Sequence, residues 1–149
     1  MPRFVLFDLV KWLHFICVAL AGGGAVVALL ISGLEDDRED LRGLSAALWR
    51  KVVAHGVRLA VVTGGILVTM QVERGGHPFD AYFLPLKSIF VCLLLVMSEL
   101  SAKALARAKR GAPLMALLCF LLASFVAVNR SAFGRKLPPP PELSAGPAE

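Results

Sequence analysis

From Trp12 to Leu34 the chain runs 23 residues without an Asp, Glu, Lys or Arg. About 20 such residues span the hydrocarbon core of a bilayer as a helix, because only a helix satisfies its own backbone in lipid. The run therefore constrains the fold more than any other feature. Ala19-Leu20-Ala21 resembles a signal-cleavage site, but the apolar run continues well past it, so a retained helix is predicted. Similar runs follow at Val52–Val72, Tyr82–Leu105 and Ala112–Val128. The sequence thus predicts an all-α, four-transmembrane-helix bundle over residues 1–136. The tail 137–149, opened by four prolines, is predicted to be disordered.

Composition agrees with a lipid solvent. Hydrophobic residues make up 57% of the chain and charged residues only 18%; the mean hydropathy is +0.71. So small a soluble domain cannot hide that much apolar surface. The net charge of +5 comes from basic residues that flank the apolar runs, which points to lipid headgroups rather than nucleic acid. Cys17, Cys92 and Cys119 stand in separate runs without metal-ligand spacing and read as packing residues.

Loops one and three carry Arg38, Arg42, Arg50, Lys51, Lys103, Arg107, Lys109 and Arg110. The termini and the middle loop carry Arg3, Arg74, Arg130, Arg135 and Lys136. The excess of positive charge predicts loops one and three in the cytoplasm and both termini outside, in a multi-pass protein of the cell membrane. The charged loop Glu35–Arg42 reads as a solvated connector. Gly75, Gly76 and Pro78 mark a turn, with His77 solvated in it. Gly111 reads as the stop after the third helix.

Ionisable groups inside a membrane are costly and are expected to face the bundle interior. At 100° per residue, Lys11, His14, Val18, Ala21, Gly22 and Ala25 share one arc, with Leu9, Trp12, Leu13, Ile16, Leu20 and Val27 opposite. His55, Arg58, Val62, Gly65, Thr69 and Glu73 form a second stripe. Lys87, Val91, Leu94, Ser98, Ser101 and Ala102 form a third. The fourth helix offers only Cys119 and Ser124 and reads as a packing wall. Three stripes predict a functional interior, with a polar pocket toward the end that holds the termini. His14 and Lys87, each about a turn inside that end on parallel helices, are expected at one level. His55 is expected roughly 15–20 Å deeper, which disfavours a bis-histidine metal site.

Plainer readings stand beside these. His55 serves as a hydrogen-bonded packing residue and Glu99 as a structural group. Lys11 and Arg130 serve as interface anchors, and Lys87 as either an anchor or a functional group. Arg58 reads as a snorkelling cation and, with Lys87, as a candidate catalytic group. No phosphate loop, nucleophile elbow or HExxH pattern occurs.

Lys11-Trp12-Leu13-His14 opens a Gly-rich first helix, Thr63-Gly64-Gly65-Ile66-Leu67 lies in the second, and Leu86-Lys87-Ser88 opens the third. In these positions, spread over residues 8–110, the chain resembles the CopD/HemJ-like group of small four-helix membrane proteins. The resemblance to the HemJ branch implies haem b as cofactor and a link to protoporphyrinogen oxidation. It makes His14 the metal ligand, with Lys87 a second cofactor-binding residue, as a ligand or as a cation pairing a porphyrin propionate. The implied partners are the lipid bilayer, haem or a porphyrin, and further copies of the chain in a homo-oligomer. The chain departs from that branch in lacking an Arg after the aromatic-Leu-Pro step of the first helix. It also carries Arg110-Gly111-Ala112-Pro113 in place of an Arg-x-x-Asn-Glu-x-Pro signature. CopD-like copper or ion transport and a non-enzymatic accessory subunit therefore stand as alternatives.

Overall fold

A computed structural model describes residues 3–74 and 83–129. The Gly/Pro turn with His77, the residues Arg130, Arg135 and Lys136, and the proline-rich tail lie outside the described residues. Among those described there are helices and no strands. Helix α1 covers Arg3–Leu34. A 3-10 turn at Glu39–Leu41 leads to α2, Leu44–Leu48, which passes through a π segment, Trp49–Val53, into α3, Ala54–Glu73. Helices α4, Phe83–Leu105, and α5, Gly111–Val128, complete the chain. Among the described residues four spans are long and apolar enough to cross a membrane: α1, the continuous run ending in α3, α4 and α5. The protein is an all-α, four-helix, multi-pass membrane protein.

The helices follow one another around the bundle, α1 beside α3, α3 beside α4, α4 beside α5, and α5 back beside α1. Lipid tails are as apolar as any side chain, so close packing has to hold such helices together, and small residues permit it. The buried face of α1 accordingly reads Cys17, Ala21, Ala25, Ala28 and Ser32. Across from it, Gly56 of α3 lies so close that a Cβ there would stand 3.1 Å from the Ala21 nitrogen and 3.2 Å from the Cys17 oxygen, both backbone atoms. On the α5 side Gly22 faces the Phe120 ring, whose Cζ would be 2.5 Å from an added Cβ. Trp49, fully buried, fills the centre and donates its indole N–H to the Ser98 carbonyl at 3.0 Å. A large aromatic with one polar atom is tolerated there because that atom is satisfied.

The predicted helices are all present. Helix α1 starts nine residues before Trp12 because its first turns are also held: Arg74, at the end of α3, lies over the Phe7 ring at 4.2 Å. Loop one is more than a solvated connector. Glu35 accepts hydrogen bonds from the Ser45 N–H at 2.7 Å and the Ser45 hydroxyl at 2.9 Å, which caps the start of α2. Arg110 donates to the Ser32 carbonyl at 2.6 Å and to Asp36 at 2.5 Å, tying loop three to the end of α1. Gly111 does not stop α4; it is the first residue of α5. The stop is a Schellman turn, in which the Lys109 N–H bonds Ala104 O and the Ala108 N–H bonds Leu105 O. Its left-handed position falls on Ala108, at φ 55°. Glycine is the usual occupant, so the sequence hid this turn.

Candidate functional site

The expectation that all three polar stripes face inward is corrected in α3. His55, Arg58, Val62, Gly65, Thr69 and Glu73 are all exposed, while Ala54, Gly56, Val57 and Thr63 are buried. A helical wheel fixes which residues share a side but not which side is inside. Small size decided that here, since only Gly56 and its neighbours allow the close approach to α1. The stripes of α1 and α4 do face inward: Ala21, Gly22 and Ala25 are buried, as are Ser98 and Ser101. Lys11 is exposed, as an anchor would be. The α5 wall buries Pro113, Ala116, Cys119, Ala123 and Val126.

The buried residues are mostly small and apolar, with the hydroxyls of Ser32, Ser45, Thr63, Ser98 and Ser101 among them and no buried charge among the described residues. The gap lined by Ala21, Ala25, Trp49, Val53 and Val57 holds about 10 Å³, at or below what one water requires. The polar chemistry therefore lies on the flanks.

One flank is built around His14. The ring is half-buried in the α1–α3 seam, and Gly64 makes room for it: a Cβ at Gly64 would stand 3.2 Å from His14 Cε1. His14 Nδ1 lies 3.0 Å from Thr63 Oγ1. That hydroxyl also lies within hydrogen-bonding distance of the Leu59 and Ala60 carbonyls, at 2.7 and 3.2 Å, so it can donate to a carbonyl while accepting from His14. The contact holds the imidazole against α3 and sets the orientation of its ring. A second-shell hydrogen bond on one ring nitrogen commonly orients the other toward a metal. Lys87, half-buried on α4, is a cation whose field reaches the ring.

The depths differ in detail from expectation. His14 sits eleven residues into α1 rather than one turn, because α1 starts at Arg3. Its partner Thr63 is eight residues from His55, so the two histidines are about 12 Å apart along the axis, still too far to share an ion. His55 Nδ1 instead donates to the Arg50 carbonyl at 2.9 Å, across the π segment.

Arg58 does not join His14. It forms a bidentate pair with Glu99 of α4, Nε to Oε1 at 2.7 Å and Nη2 to Oε2 at 2.6 Å, on an outward-facing flank. Glu99 is therefore the structural partner of Arg58. The two charges in neighbouring apolar runs were a visible signal of that pairing. Thr63 is a partner of His14 that the sequence did not mark. It had been seen only in the Thr63–Leu67 step, and nothing in its spacing marks it as the partner of a histidine 49 positions away.

Among the described residues, no group of three or more His, Cys, Asp or Glu side chains converges to hold a metal ion. The His14 flank offers a single imidazole donor, which is what a group carrying its own ring ligands, such as haem, would need from the protein. No family model, curated protein or solved structure matches the chain.

Proposed function

We propose that this membrane protein holds haem b at the His14 flank for redox chemistry, as its resemblance to the CopD/HemJ-like group implies. The observation that supports the reading is the contact of His14 Nδ1 with the Thr63 hydroxyl at 3.0 Å, which orients a half-buried imidazole in the α1–α3 seam. In this reading His14 would ligate the haem iron and Thr63 would orient its ring. Gly64 admits the ring between the helices, and Lys87 pairs a propionate as an ammonium. When bound, haem supplies one-electron redox chemistry, and oxidation of a porphyrinogen is the reaction class that the resemblance favours. The charge balance of the loops supports placing both termini outside the cell membrane.

An absorption spectrum of the purified protein in detergent tests this. A Soret band with one haem per chain, or per pair of chains sharing one, is the expected result. A protein that stays spectrally blank after haem is supplied in excess would end the haem reading and leave transport or an accessory role for the same two residues.

A further inference from the structure

The flank away from His14 carries a charged pair on an outward-facing surface. Arg58 and Glu99 are paired, yet their side chains remain 51% and 44% exposed. Glu99 lies six residues inside the Leu105 end of α4, about 9 Å into the span. A guanidinium has five N–H donors and a carboxylate about four acceptor sites. The pair uses two of each. The remainder faces outward from membrane-crossing helices, where hydrocarbon offers no partner.

The surface around the pair is suited to close approach. On α3, Arg58, Val62, Gly65 and Thr69 recur at helical spacing and are exposed. A Cβ at Gly65 would meet nothing within 4 Å, so the glycine is not needed inside the subunit. The Thr69 hydroxyl is occupied by its own helix, donating to Ile66 O at 2.8 Å, which leaves a small, satisfied surface. On α4, Cys92, Val96 and Glu99 share one side and are exposed.

We propose that this α3–α4 face is the interface of a homodimer, with a second copy of the chain as its occupant. The charge pattern selects the occupant. A face that presents a cation and an anion side by side is complementary to itself under a twofold axis, because each Arg58 then meets the Glu99 of the other copy. The two pairs become one four-membered network, and the donors and acceptors left over in each subunit are satisfied by the other. Gly65 and Thr69 let the two α3 helices approach within backbone distance.

Co-expression of two differently tagged full-length chains, extracted directly from membranes in polymer nanodiscs, tests the proposal by co-purification of the tags. Wild-type copies are expected to co-purify. Arg58→Glu alone and Glu99→Arg alone each place like charges across the interface, and each should lose self-association by about tenfold or more. Co-expressed with each other, the two variants should regain it, since an all-acidic face then meets an all-basic one. Gly65→Leu guards against variants that merely misfold. It has open space within the subunit, so the monomer should keep its helical content while association falls. Gly23→Leu, equally open but on α1, should leave association unchanged. Wild-type tags that do not co-purify would overturn the proposal, even if another protein is found on the chain. Association that survives Gly65→Leu and both charge reversals would overturn it as well.

Discussion

The two faces of α3 are a few ångströms apart and follow opposite rules. The inward face, with Gly56, Val57 and Thr63, is small, and its one hydroxyl is used twice, toward His14 and toward Leu59. The outward face, with His55, Arg58, Val62 and Thr69, is the more polar of the two. In a soluble helix the polar face would be outside without further comment. In a membrane helix a polar face outside requires partners, and Arg58 has one in Glu99. Where water is absent, steric fit chooses the interior, and polarity marks the places where another group must come.

The largest expected effect that can break this contrast is on glycines. Gly56→Leu should collapse the α1–α3 seam, because the atoms it strikes are backbone and cannot rotate away. A loss at or above the upper end of the usual 1–3 kcal/mol for overpacking is expected. Gly65→Leu, on the outward face of the same helix, should leave thermal unfolding of the monomer in detergent unchanged. Equal losses for the two would erase the distinction between the faces.

The same contrast extends to α1 with a smaller effect. Gly22→Leu strikes the Phe120 ring, which can turn, so its cost should fall within about 1–3 kcal/mol. Val27→Leu, on the exposed side, should cost next to nothing. Thermal unfolding of the pair in one detergent checks this.

Threonines give a finer test. Thr63→Val removes the partner of His14 Nδ1, for a loss of about 1 kcal/mol. Thr69 bonds only carbonyls of its own helix, and Thr69→Val should be close to neutral. Loss of stability at Thr69 equal to that at Thr63 would mean that the outward hydroxyl has a partner too.

Smallest, and opposite in sign, is Ala108→Gly in the turn between α4 and α5. Relief of a left-handed alanine should raise stability by about 1 kcal/mol. A fall instead would show that the alanine methyl is packed rather than strained.

The fold was legible to the extent that lipid leaves one solution per apolar run. The ends of α3, α4 and α5 fall within a residue or two of where the charges placed them, since loops must be wet. The start of α1 did not, because Phe7 under Arg74 extends the helix through a tertiary contact that no local pattern encodes. Nor did the turn at Ala108, where the expected glycine is absent. At the site, the separation of His14 from His55 was readable from helix direction and spacing. The orientation of the α3 stripe was not, because the assumption that polar means inward fails once Arg58 can reach a carboxylate on the next helix. Thr63 was invisible for a related reason: a hydroxyl among apolar residues is common, and only its position across from His14 gives it a role.

The central proposal is that His14, oriented by Thr63, is the residue that would ligate haem. Haem absorption of purified His14→Ala, Thr63→Val and Lys87→Ala, each compared with wild type, tests it most directly. His14→Ala should retain no haem. Thr63→Val should retain it with a shifted spectrum, because the ring can then turn or change tautomer, and Lys87→Ala should hold it more weakly. A His14→Ala protein that carries a full complement of haem with the wild-type spectrum would contradict the account.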